Sequence, residues 1–140
     1  MGLLLDTNVV SELMKTAIDP AVVGVLRAGD SDGIFVPTVV FVEILFGIER
    51  LEASARRDRL MRHAKALLDE RFAKRTIAMD DAVAWEAGRV RAERRALGRA
   101  DDLADDIVAA TARVRGLTLG TRTVYDFEGL GLRLLDPWRG

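Results

Sequence analysis

The stretch Leu3-Leu4-Leu5-Asp6-Thr7-Asn8 sets three consecutive apolar residues against an acid and two helix-capping residues. So short and continuous an apolar run fits a strand buried on both faces, as a parallel sheet requires. Thr7 or Asn8 then caps a helix through about Lys15, with Val9, Val10, Leu13 and Met14 on one side. The same alternation runs down the chain. Pro20 opens a second helix that ends before Gly29, Ala28 to Gly33 reads as a loop, and Ile34-Phe35-Val36 is a second strand. Pro37-Thr38 starts a helix to about Leu51 that is apolar nearly all round and is therefore expected to be central. Residues 54–73 form an Arg-rich amphipathic helix, and Thr76-Ile77-Ala78 a third strand. Asp80 or Asp81 caps a helix to about Leu97, stopped by Gly98, with Val83, Ala87, Val90 and Leu97 on its buried side. Asp101 or Asp102 caps another, to about Arg115, with Gly116 behind it. Leu117-Thr118-Leu119 and Leu132-Arg133-Leu134 supply the last strands, with a short helix from Thr123 past Asp126 between them. About five short strands alternating with helices predict an α/β domain around a mainly parallel sheet, with ligands beyond the carboxyl ends of the strands.

Composition narrows the chemistry. The chain has 140 residues, 49% apolar and 31% charged, so it can build a core. No apolar run approaches the ~20 residues that span a bilayer, and Asp6 interrupts any signal-peptide core. There is no Cys, which excludes thiol chemistry and Cys-ligated zinc, and with His63 the sole His, His-cluster metal sites and His-based triads have almost nothing to work with. Carboxylates, hydroxyls and arginines remain. The net charge of −1 hides a basic region at 49–75, with nine Lys/Arg against five acids, and four Asp within residues 101–106. The Arg-rich face that includes Arg56, Arg57, Arg59 and Arg62 either guides a polyanion or is an ordinary solvated surface.

Four carboxylates stand out. Asp6 sits at the end of a buried strand, where α/β sites are built; Thr7 and Asn8 leave it superfluous as a cap. Glu43 lies mid-helix among Val40, Val42, Ile44 and Leu45, so burial would demand an Arg partner or a bound cation. Asp105 falls in the first turn of its helix, where the macrodipole favours an acid. Four acids in six residues nevertheless repel one another without a nearby cation or Arg cluster; Asp101 and Asp106 read as solvated and Asp102 as the cap. Asp126 stands three residues after Thr123, which suits either a capping box or a fourth site acid. Oxygen donors without His or Cys favour Mg²⁺ or Mn²⁺, and such sites hydrolyse phosphodiesters.

The motifs resemble those of a known family. Leu4 to Glu12 is similar to the opening of PIN-domain proteins, Val42 to Ile48 to their second acidic motif, and Ala104 to Ala112 to their third. Leu119 to Phe127 and the ending Asp136-Pro137-Trp138 resemble the tail of the VapC/FitB-type toxin subgroup. The match runs in order from residue 3 to 138, so residues 1–140 are expected to form a single PIN domain. The resemblance implies a Mg²⁺- or Mn²⁺-dependent endoribonuclease of the cytoplasm, a homodimer, inhibited by a VapB-type antitoxin. Operator DNA would be reached only through that antitoxin, in a larger assembly. It assigns Asp6, Glu43 and Asp105 to the acidic core, with Thr7 and Asn8 beside it. Many relatives carry Asp or Asn where Thr123 stands; Thr123 can hydrogen-bond a metal-bound water without adding charge, and either Asp126 supplies the fourth carboxylate or the site runs with three. Arg122, next to these residues, could contact RNA phosphate or pair with Asp126.

Two other functions compete. The departure at Thr123 also suits a catalytically weak or inactive PIN-like module that binds antitoxin or RNA. A carboxylate-based phosphatase of another α/β class is disfavoured, because no acid stands two positions after Asp6.

Overall fold

A computed structural model describes residues 2–140. Among these described residues, five strands form one sheet: β1 (Leu3–Leu5), β2 (Ile34–Pro37), β3 (Thr76–Ile77), β4 (Thr118–Gly120) and β5 (Leu134–Leu135). They lie in the order β3-β2-β1-β4-β5, and every pairing is parallel. The chain builds one side of the sheet outward from β1 and then crosses back to place β4 on β1's other edge. The order therefore reverses between β1 and β4, the point where an open parallel sheet leaves a crevice at its carboxyl ends. Leu4, Leu5 and Leu119 in the middle of this sheet are wholly buried, which is why these strands read as unbroken apolar runs.

Among the described residues, six α-helices accompany the strands: α1 (Thr7–Leu13), α2 (Pro20–Gly29), α3 (Thr38–Glu49), α4 (Ala55–Ala66), α5 (Asp81–Ala96) and α6 (Leu103–Arg115). Asp19, Ser54, Asp80 and Asp102 cap α2, α4, α5 and α6 through their side chains. α6 ends at Gly116, whose φ of 65° suits a residue without a Cβ. α3 packs on α1, α4 and α6, and α5 packs along α6. No helix among the described residues is long and apolar enough to cross a membrane.

Several elements differ from those the sequence predicts. α1 stops at Leu13, and its cap is Asp6 rather than Thr7 or Asn8. Ala28 to Gly33 is not a loop, because α2 runs through Gly29 and a 3-10 turn continues over Asp30–Asp32. α4 ends at Ala66 and gives way to a π-helical turn over Leu67–Arg71. β4 starts one residue later than read, because the Leu117 N–H still closes the end of α6 on Ala112 O, 3.0 Å away. β5 is displaced to Leu134–Leu135; the left-handed Gly129 and Gly131 first carry the chain round. Leu97 is half exposed rather than buried, and Trp85 lies on the outer face of α5. α3 is not central. Val40, Ile44 and Ile48 face the core while Val42, Leu45 and Phe46 face outward, so its all-round apolarity reflects an uncovered apolar side.

Candidate active site

The register between β1 and β4 places Leu5 opposite Gly120, so the residues that leave those strands, Asp6 and Thr121, emerge side by side. The Asp6 N–H donates to Gly120 O at 2.9 Å. Both Asp6 carboxylate oxygens are held: Oδ1 accepts from the Thr7 N–H and Oδ2 from the Thr121 hydroxyl, each at 2.8 Å. Asp6 is thus a helix cap and a pocket acid at once. Burial raises its carboxyl above the ordinary range, and the Thr121 and Thr7 donors oppose the rise.

Thr121 escaped the reading of the sequence, although it is fully buried and central to the site. Its hydroxyl, which donates to Asp6, accepts from the Thr123 N–H at 3.1 Å and lies 3.4 Å from Asn8 Nδ2. Thr123 Oγ1 is 3.2 Å from the same oxygen. Asn8 Oδ1 in turn accepts from the Arg122 N–H at 3.2 Å. Asn8 and Thr123 therefore brace Asp6 through Thr121, which was legible only as a small polar residue following a strand.

Glu43 departs from expectation. It is exposed on α3, not buried among apolar neighbours, and no Arg pairs with it among the described residues. Its Oε1 accepts from the Thr7 hydroxyl at 3.3 Å. Partial desolvation raises its carboxyl, followed by repulsion from Asp102. Asp105 stands in the first turn of α6, its N–H donated to Asp102 Oδ1 at 3.0 Å. Burial, then repulsion from Asp102 and Asp6, pushes its carboxyl up to about 7. The capping box over Thr123 to Asp126 does not form: the 3-10 turn Val124–Asp126 has no side-chain cap, and the Asp126 carboxyl lines the pocket instead.

Asp6, Glu43, Asp105, Asp126 and Asp102 thus face one open cavity of about 530 Å³, together with Thr7, Asn8, Arg122 and Thr123. Among the described residues, no three such side chains close around a single point as ligands of one ion. The carboxylates share a pocket without forming a cage. The donor set, all oxygen with no His or Cys, is of the kind that suits Mg²⁺ or Mn²⁺.

The buried acid with an Arg partner is Asp106, which was read as solvated. It is wholly buried, and its Oδ1 accepts from Arg94 Nη1 at 3.2 Å. Arg94, itself 5% exposed, also reaches toward Asp105 Oδ2 at 3.6 Å. Asp101 is not simply solvated either; Arg95 and Arg91 pair with it and hold its carboxyl low. The C-terminal half of α5 is thus the Arg cluster that the four acids require.

Comparisons with known proteins agree with this architecture. The PIN domain family model matches residues 3–122. The chain is 31% identical to a plasmid stability protein StbB of Pseudomonas syringae pv. tomato, over 97% of this chain and 98% of that one. It is 29% identical to VapC ribonuclease Y4jK of Sinorhizobium fredii, over 97% of each. The crystal structure of FitAcB from Neisseria gonorrhoeae superposes with a TM-score of 0.82 at 26% identity, covering 99% of both chains.

Proposed function

The chain belongs to the PIN-domain family, and we propose that it is a divalent-metal-dependent endoribonuclease, the toxin component of a type II toxin–antitoxin pair. In this reading residues 1–140 act as one PIN domain in the cytoplasm, as a homodimer, and a VapB-type antitoxin neutralises the activity and connects it to operator DNA. The observation that carries the reading is the shared pocket in which Asp6, Glu43 and Asp105 are all raised, first by burial and then by repulsion from neighbouring pocket acids, Asp102 foremost. Such crowding is relieved by a cation, and it sits at the crevice where a parallel sheet binds ligands. The name of the Sinorhizobium relative, a VapC ribonuclease, points to RNA.

Asp6, Glu43 and Asp105 would hold the ion, Mg²⁺ or Mn²⁺, with Asp126 beside them. A bound ion of this kind polarises a phosphoryl oxygen and lowers the pKa of an attacking water, the chemistry of in-line phosphodiester hydrolysis. The remaining work belongs to the chain. Thr7 and Thr121 fix both Asp6 oxygens, and the Thr7 hydroxyl also orients Glu43. Asp102 seats the start of α6 and so places Asp105. The Thr123 hydroxyl adds a polar group without charge.

One observation favours a second reading, a weakly active or inactive binding module. As they stand, no three of the described acids form an ion cage. Incubating the purified, antitoxin-free chain with structured RNAs, with and without Mg²⁺ or Mn²⁺, separates the two. The ribonuclease reading expects cleavage that needs the ion and is lost in Asp105→Asn. Intact RNA under every condition favours the binding module.

A further inference from the structure

Two cations line the acidic pocket, and they are not equivalent. Lys15 Nζ lies 2.8 Å from Glu12 Oε1 and is neutralised there. Arg122 makes no ion pair with any carboxylate among the described residues, although it borders a cavity lined by Asp6, Glu43, Asp105 and Asp126. Its guanidinium instead sits over the Trp138 ring, with Cζ 4.7 Å from the centroid. The backbone beneath it is pinned by Asn8 Oδ1, and the ring beneath the guanidinium packs against the core. The Trp138 N–H is held by Asp136 Oδ1 at 2.9 Å, which fixes the turn that presents the indole.

An Arg that served only to offset the pocket acids would bond to one of them. Stacking uses the face of the guanidinium and leaves the N–H groups along its edge free. A planar fork of donors, exposed and held at a defined place beside a phosphodiester-cleaving site, matches phosphate oxygens. A pocket rich in carboxylates repels a polyanion, and among the described residues of its lining Arg122 is a cation held in no close ion pair, its charge felt by Glu12 only at a distance. We infer that Arg122, stacked on Trp138, is a subsite for the RNA phosphate adjoining the one that is cleaved. Arg122 binds the phosphate and Trp138 is the positioning residue. The inference rests on the ribonuclease reading above.

The test is RNA cleavage in Mg²⁺ at several salt concentrations, with one structured RNA and the variants Arg122→Met, Trp138→Leu and Trp138→Phe. Arg122→Met should raise KM about tenfold, the scale of one charge-assisted hydrogen bond. It should also flatten the slope of log(kcat/KM) against log salt by about 0.7, the share of one phosphate contact on a single strand. Trp138→Leu should raise KM several-fold with the salt slope retained, because the charge remains but is no longer held. Trp138→Phe, which keeps a π face, should restore most of the KM; a merely structural Trp138 would move melting temperature rather than KM. If the wild-type chain cleaves RNA but Arg122→Met keeps its KM and slope, this inference fails and the ribonuclease reading stands. If Arg122→Met spares KM and instead weakens co-purification with a protein partner, the guanidinium serves that partner and the phosphate subsite is overturned. A wild-type chain that cleaves no RNA overturns both.

Discussion

Arg94→Met should be among the most destabilising single changes in the molecule. It strips the wholly buried Asp106 carboxylate of its hydrogen-bond donor and leaves only Arg91, whose Nη1 is 4.0 Å from Oδ2. Breaking a buried ion pair by removing one partner costs about 3–5 kcal/mol. The residual attraction of Arg91, itself partly exposed, places the expected loss near the lower end, about 3 kcal/mol. For a domain of this length that is a fall in melting temperature of roughly 12 °C. Asp106→Leu should also destabilise, though by less: it takes the nearest carboxylate from the buried Arg94, whose Nε already lacks a partner, while Asp105 Oδ2 remains 3.6 Å away. The double change Arg94→Met/Asp106→Leu should return to within about 1 kcal/mol of wild type, since apolar groups of similar volume replace both charges. Urea unfolding of all four proteins in EDTA measures the cycle. Single losses below about 1 kcal/mol, or a double variant that simply sums them, would refute the reasoning. The restored double variant should still cleave RNA poorly, because the guanidinium that faces Asp105 is gone.

Three further outcomes are expected. Glu43→Gln should leave the melting temperature almost unchanged, since the side chain is exposed, and abolish RNA cleavage; calorimetry and a cleavage assay read the two effects. Thr121→Val should remove the donor to Asp6 Oδ2 and leave that acid under-satisfied, costing about 1–3 kcal/mol by urea unfolding and depressing cleavage. Without divalent ions, stability should fall as pH rises from about 4 through 7. Asp105 is raised to about 7, so across that window the folded chain binds more protons than the unfolded one, and Asp6 and Glu43 act in the same direction. Asp105→Asn or added Mn²⁺ should flatten that profile, and unfolding midpoints that rise with pH in the metal-free wild type would contradict it.

The strand-and-helix alternation was legible because a sheet buried on both faces leaves continuous apolar runs such as Leu3-Leu4-Leu5. Caps were legible where an Asp or Ser stands before a helix, as at Asp80 and Asp102. Burial on individual helices was not. Glu43 and Asp106 exchanged places between reading and structure: a charge among apolar neighbours turned out exposed, and one acid of a polar cluster turned out buried. One sequence reveals neighbours along a helix but not what packs across it. The uncovered side of α3 and the Arg94 side chain on α5 decided those two cases, and both are matters of what packs across a helix rather than along it. Thr121 was illegible for a related reason: its importance lies in a contact 115 residues away, with Asp6.

That separation constrains how the molecule is made. β1 emerges first from the ribosome, but its neighbour β4 and the Thr121 hydroxyl lie near the other end of the chain. Until residues 118–126 are available, the nascent chain presents β1 with one unpaired edge and Asp6 without its hydroxyl donor. Long-range pairing of this kind closes late and slowly. A chain halted before β4 therefore holds every pocket acid except Asp126 but no assembled pocket, and premature termination there should release a fragment that is both inactive and prone to stick through its open edge.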